Sequence, residues 1–253
     1  MTAILQAQAI HATWDQTPVL MDVHASFTQG TWSCIVGPNG AGKTSLLKVL
    51  AGLMPAEGEV LLQGQRLQSL SSKQRATQLA WLGQQAIGSD DLSVFDVIML
   101  GRLPHQSWWT GVTEEDRFVV EQLMASMHLS DWRDRGLGTL SGGERQRILL
   151  ARALAVQAPV LLMDEPIANV DPPHQADWLA TVKQLTQQGT TVISVLHDLN
   201  LALRADQVVV MQAGRVLLQA APDDPALHAC LQMVFDHRLR FHQVQKHWVA
   251  LLA

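Results

Sequence analysis

The segment Gly37-Pro38-Asn39-Gly40-Ala41-Gly42-Lys43-Thr44 constrains this chain more than any other. It follows an apolar run, Ser33-Cys34-Ile35-Val36, and opens onto a helical pattern beginning Ser45-Leu46-Leu47. A glycine-rich turn between a buried strand and a helix predicts an α/β fold with a parallel sheet covered on both faces. The glycines let the backbone curl so that its N–H groups converge, and the helix N-terminus adds its positive end at the same place. The spacing G-x-x-x-x-G-K-[ST] in a strand–turn–helix setting marks a cradle for the phosphates of a nucleoside triphosphate. In that role the backbone of residues 37–45, Ser45 included, surrounds the phosphates. Lys43 reaches the terminal ones, and the Thr44 hydroxyl is a ligand for Mg²⁺.

The remaining pattern supports this architecture. Strand-like runs occur at 19–27, 31–36, 59–63 and 79–83, with a helix over 43–51 ended by Gly52 and Pro55. Between 87 and 138 β-branched runs give way to helical patterns. There Thr113 precedes Glu114, Glu115 and Asp116, an N-cap with acids in the first turn of a helix running to about Met127. The expectation is an α/β core formed by 1–86 and 139–253, with a helical subdomain, 87–138, inserted in it. Alternation then resumes: a helix at 142–157, a buried strand at 160–163, a helix at 172–188 with proline at its start, and a buried strand at 190–196. Runs at 207–211 and 215–219 flank Ala213-Gly214 as a hairpin, and a small α/β appendage is expected from His237.

Composition removes several function classes. The 253 residues carry 18 basic and 23 acidic side chains, a net charge of −5, which gives no global attraction for nucleic acid. Cys34 and Cys230 are too few for a disulfide framework and point to a reducing compartment. No apolar run approaches the ~18 residues of a membrane span, and residues 1–6 lack the features of a secretory signal, so a cytoplasmic chain is expected. The ten histidines form no metal-ligand pattern with the two cysteines.

Asp164 ends the 160–163 run, where a carboxylate can hold Mg²⁺ directly or through water. Glu165 stands beside it, placed to polarise an attacking water.

Leu140-Ser141-Gly142-Gly143-Glu144-Arg145-Gln146-Arg147 resembles the signature of ATP-binding cassette (ABC) proteins, with Glu144 where glutamine is commonest. The resemblance covers nearly the whole chain. It implies a P-loop NTPase cassette with a RecA-like parallel core, an N-terminal antiparallel β portion and the inserted helical subdomain. The implied reaction is ATP hydrolysis with Mg²⁺. The implied assembly is a head-to-tail homodimer, in which Ser141 and the N–H groups of Gly142 and Gly143 face the γ-phosphate held by the partner. Gln84 resembles the Q-loop glutamine, which senses Mg²⁺ and the attacking water, with Gln85 one residue away as an alternative. Ala168-Asn169-Val170-Asp171 resembles the D-loop, and His197 the switch histidine that contacts the γ-phosphate. Trp14 stands where the family has an aromatic, usually tyrosine, on the adenine; this chain has no tyrosine. Trp14 is either that stacking residue or a partly buried edge tryptophan.

Among ABC ATPases the chain is most similar to those of metal-chelate importers for iron-siderophore, haem or vitamin B12. The residues that carry this are Leu100-Gly101-Arg102-Leu103-Pro104-His105, Leu196-His197-Asp198-Leu199-Asn200 and Val234-Phe235-Asp236-His237. The resemblance implies integral-membrane permease partners, indirectly a periplasmic or surface substrate-binding protein, no nucleic acid, and a place on the cytoplasmic face of the inner membrane. A different ABC transporter, importer or exporter, and a soluble non-transport ABC ATPase remain alternatives. For permease docking the expected segment is 87–102, with Asp90 and Asp91 supplying charge and Leu92, Val94 and Phe95 an apolar patch. Trp108-Trp109 mark a partner surface or a small core beneath their loop.

Overall fold

The computed structural model describes residues 2–83, 91–107, 109, 111–167 and 171–253. The chain opens with β1 (Ala3–Trp14), β2 (Thr17–Thr28), β3 (Trp32–Val36), α1 (Lys43–Leu50), β4 (Glu57–Leu62), β5 (Gln65–Arg66), α2 (Ser72–Gln78) and β6 (Leu79–Leu82). Next come α3 (Val94–Met99), α4 (Glu114–Ser126) and α5 (Gly142–Ala155). The chain closes with β7 (Val160–Asp164), α6 (Pro172–Gln187), β8 (Thr191–Val195), α7 (Leu199–Ala202), β9 (Gln207–Gln212), β10 (Arg215–Ala220), α8 (Pro225–Val234), β11 (Leu239–Val244) and β12 (His247–Leu252).

The central sheet has the order β10-β9-β3-β8-β7-β6. Its β9, β3, β8, β7 and β6 are parallel and β10 is antiparallel to β9. Strands β3, β7 and β8 are buried at every position, as continuous apolar runs in a doubly covered sheet require. Alternation along them divides the core. Cys34, Val36, Leu161 and Met163 face α5, α6 and α8, while Ile35, Leu162, Ile193 and Val195 face α1 and the N-terminal antiparallel sheet β2-β1-β4-β5.

Helices α2, α7 and α8 have no counterpart among the expected elements, and two further regions differ. Strand β1 was not among the expected runs, because its pairing with β2 shifts register between Ala7 and Ile10 and Ala9 adopts φ 49°. That irregularity interrupts the two-residue alternation by which a strand is read. The other is the tail: α8 ends before His237, and beyond that residue the chain forms only the β11–β12 hairpin.

From Ser93 to Thr139 the described residues form helices, 3₁₀ turns and two isolated bridges. Arg102 and Asp116 are buried together there, with Arg102 Nε 2.9 Å from Asp116 Oδ1. Arg102 Nη1 also donates to the Ala155 carbonyl and to Gln157 Oε1, both at 2.9 Å. One guanidinium thus joins the start of α4 to the end of α5. His105 Nε2 donates to the Val156 carbonyl at 2.7 Å, at the same helix end. The apolar patch expected at 92–95 is largely internal: Val94 is fully buried, Leu92 packs on the core, and the Arg133 guanidinium lies 3.9 Å over the Phe95 ring. Asp91 is exposed, and Asp90 and Trp108 lie outside the described residues.

Candidate active site

The loop expected to cradle phosphates is built by close backbone packing. Gly37 has φ 150°, and a Cβ there would lie 2.1 Å from the Met211 carbonyl oxygen. Gly42, at φ 94°, would place a Cβ 2.7 Å from the Val19 oxygen. Neither site admits a side chain, so the loop is pressed between β9 and β2. Lys43 opens α1 and is buried. Its Nζ donates to the carbonyls of Gly37 at 2.8 Å and Pro38 at 3.0 Å, which aims the ammonium into the loop's own ring. Burial lowers the Lys43 pKa, and the carboxylates of Glu165 and Asp164 partly oppose that shift.

Thr44 Oγ1 donates to Asp164 Oδ1 at 3.1 Å, so the loop and the end of β7 meet. Burial raises the Asp164 pKa, with Thr44 and the nearby lysines opposing and Glu165 adding to it. A hydroxyl and a buried carboxylate side by side form a hard-oxygen donor set, which fits Mg²⁺.

Glu165 follows in the left-handed region, φ 52°, a conformation of order 1 kcal/mol above the ordinary one for a non-glycine residue. Its N–H is held by the Val195 carbonyl at 3.1 Å, and the turned backbone directs the carboxylate to the end of β8. There His197 Nε2 lies 2.6 Å from Glu165 Oε1. An ionised carboxylate only accepts, so Nε2 carries the proton in this bond. The cradle, Asp164, Glu165 and His197 therefore meet at the C-terminal ends of parallel strands, where open α/β sheets bind ligands.

Ser141 caps α5. Its Oγ accepts from Glu144 N at 3.3 Å, and Glu144 Oε2 accepts from Ser141 N at 2.7 Å. Those bonds, with Arg135 nearby, lower the Glu144 pKa. Nothing lies within 4 Å of where side chains at Gly142 and Gly143 would begin. The signature turn is thus an exposed helix N-terminus, open to a second molecule.

Comparison with known proteins shows the family. Residues 20–168 match the ABC transporter family. The chain belongs to that family. Among its relatives, the cobalamin import ATP-binding protein BtuD of Halobacterium salinarum is 41% identical over 226 residues. The match covers 88% of this chain but 56% of that protein, so this chain spans little more than half of that relative. The ferric enterobactin transport ATP-binding protein FepC of Escherichia coli is 33% identical over 239 residues, covering 93% of this chain and 88% of that protein. A nucleotide-free ATP-binding cassette from an ABC transporter superposes with a TM-score of 0.81 at 24% identity, covering 93% of this chain and 96% of that one.

Within this ABC cassette, Trp14 is exposed at the end of the β1–β2 hairpin, whose Val19 touches Gly42. Asp171 occupies the N-cap position of α6 but bonds His174 rather than a helix N–H. Gln84 and residues 168–170 lie outside the described residues. Two contacts had no signal in the sequence. Gln146 Nε2 donates to the Pro166 carbonyl at 3.0 Å, tying α5 to the residue after Glu165. Asp198 Oδ1 accepts from the N–H groups of Asn200 and Leu201, capping α7 directly after His197.

Proposed function

We propose that this chain is the ATP-hydrolysing subunit of a transporter that imports a metal chelate through membrane permease partners. The observation that carries the reading is the convergence of the cradle, Asp164, Glu165 and His197. In this reading the 37–45 backbone and Lys43 hold the triphosphate. Thr44 and Asp164 would hold Mg²⁺, which when bound neutralises charge developing on the phosphates. Glu165 accepts a proton from the attacking water as it adds to the γ-phosphorus, and ADP leaves with inorganic phosphate. His197 carries its proton on Nε2, and that one N–H passes from Glu165 to the γ-phosphate when ATP binds. Gln84 completes the water site, Trp14 stacks on the adenine, and Asp171 belongs to the dimer-facing turn. Two copies close head to tail, so that Ser141, Gly142 and Gly143 of one meet the γ-phosphate of the other.

The metal-chelate assignment is supported by the cobalamin import and ferric enterobactin transport relatives. No helix among the described residues is long and apolar enough to cross a membrane. In this reading the transport path belongs to permease subunits, with the cassette on their cytoplasmic side and a substrate-binding protein beyond. The core of 1–86 and 139–253 then carries the nucleotide, and the 87–138 block receives the permease. A cavity of about 330 Å³ beside β6, lined by Trp81, Leu100, Leu103 and Pro104, offers an apolar seat for a permease segment.

Glu165→Gln tests the catalytic core. It is expected to keep ATP binding, slow hydrolysis by about 10²–10⁴-fold, and accumulate an ATP-bound dimer on size-exclusion chromatography. Undiminished hydrolysis would remove Glu165 from its role. Uptake of cobalamin, ferric siderophore or haem by vesicles holding the co-purified permease tests the import assignment.

A further inference from the structure

The switch histidine lies between two unlike anchors. Before it, β8 is locked into the sheet, and Leu196 N donates to the Ile35 carbonyl at 3.3 Å. After it comes α7, only four residues long, and a single helical turn does not sustain itself in water. The far end of α7 is fixed by Ala202 and Leu203, both buried. Its near end is exposed at His197, Asp198 and Asn200. There Asn200 Oδ1 accepts a hydrogen bond of 2.8 Å from the backbone N–H of Ala250, fifty residues away on β12.

That donor is held firmly. Strand β12 pairs with β11, and the Ala250 N–H faces away from the hairpin toward α7. The hairpin is seated on α8. Phe241 stacks on His228 with ring centroids 4.5 Å apart, Trp248 meets the same imidazole edge-on at 4.3 Å, and Gln232 Nε2 donates to the Leu239 carbonyl at 3.1 Å. His228 Nε2 donates to the Pro222 carbonyl at 2.8 Å, and Leu227 and Leu231 anchor α8 in the core. An exposed asparagine would otherwise bond to water, which fixes no position. Here it is bonded to backbone.

We propose that the C-terminal hairpin braces the switch: Asn200, held by the Ala250 N–H, is a positioning residue that sets where His197 presents its imidazole to Glu165 and the γ-phosphate. This rests on the proposed role of His197 at the γ-phosphate. The hairpin packs on α7 and α8, so its effect is expected on turnover and not on ATP binding.

Asn200→Leu keeps the side-chain size and removes the acceptor. Ala250→Pro removes the donor from the other side, at an outward-facing N–H where an edge strand tolerates proline. Each is expected to lower kcat about 2- to 10-fold, the worth of one neutral hydrogen bond, with KM for ATP unchanged within about twofold. The double variant should be no slower than the slower single one, since both break the same bond. Asn200→Asp retains an acceptor and should restore more than about half of the wild-type kcat. Wild-type kcat in Asn200→Leu, multiplying losses in the double variant, or a KM that rises as kcat falls would each overturn the brace. His197→Ala separates the two readings. Unchanged turnover there overturns the switch assignment and the brace with it, whereas turnover lost in His197→Ala but intact in Asn200→Leu overturns the brace alone.

Discussion

The C-terminal end of the central sheet, which carries the proposed nucleotide site, and the helical block over 93–139 are held by different means. At the sheet end, the side chains of the proposed site leave strands that are hydrogen-bonded on both sides: Asp164 ends β7 between β6 and β8, and His197 follows β8 between β3 and β7. Backbone ladders fix these positions to within the tolerance of chemistry. The block instead packs its apolar side chains on α5 and is pinned through a few polar side chains, of which Arg102 makes the most connections. Removing one side chain at the sheet end should therefore cost activity and spare the fold. Removing one at the pin should cost the fold first.

The largest effect is expected at the pin. Arg102→Met leaves the Asp116 carboxylate buried without its cation and should destabilise the protein by about 3–5 kcal/mol in urea titration. A loss under about 1 kcal/mol would show that Asp116 reaches water unaided and that apolar packing alone orients the block.

At the sheet end, Lys43→Ala should reduce turnover by about 10²–10³-fold, the usual worth of one positioned charge on a reacting group. Its thermal midpoint should hold or rise, because the lysine is buried and its charged form is disfavoured in the fold. A large fall in the midpoint would mean that the cradle is held together by the two carbonyl contacts of Lys43, and the contrast between the regions would fail.

Acid sharpens the same contrast. Burial pushes the Asp116 carboxyl up, but the Thr113 N–H, Arg102 and the Thr113 hydroxyl outweigh it, and the net pKa lies below the ordinary 3.8. A carboxylate with a depressed folded pKa stabilises the fold above its unfolded value and loses that contribution as pH falls through the folded one. Unfolding free energy measured from pH 5 down to 3 should thus fall more steeply in wild type than in Asp116→Asn, which starts lower at pH 5. Parallel slopes would show that Asp116 binds no extra proton on unfolding in this range.

How much of the molecule was legible in its sequence varies by region for physical reasons. The cradle, Asp164-Glu165 and the signature are local patterns, since a strand end, a turn and a helix start must carry their chemistry in adjacent residues. Strand β1 was hidden because the irregularity at Ala9 broke its alternation. The Arg102–Asp116 pair was hidden because its partners come from separate segments and only burial makes them matter. Thr113-Glu114-Glu115-Asp116 announced a helix start, yet nothing local shows that Asp116 also faces a guanidinium. Asn200 stands in the 196–200 motif, but its bond to Ala250 depends on how the tail returns across α7.

The smallest effect tests whether the pin is one device or two. Asp116 Oδ2 accepts from Thr113 N at 3.0 Å and Thr113 Oγ1 at 2.9 Å, while Oδ1 accepts from Arg102. Thr113 Oγ1 in turn accepts from Asp116 N at 3.2 Å, closing a capping box. Thr113→Ala alone should cost about 1 kcal/mol, as for an ordinary N-cap, because Arg102 still satisfies the carboxylate. In the Arg102→Met background the same change should cost more than it does alone, by about 0.5 kcal/mol or above. There the buried carboxylate loses its last side-chain donor and keeps only a backbone N–H. Strict additivity would mean that the cap and the ion pair act independently, and that losing Arg102 already releases Asp116 to water. Excess cost in the double variant would mean that the α4 cap and the guanidinium link from α4 to the end of α5 act through one carboxylate. The orientation of the block toward the signature helix would then depend on that one side chain.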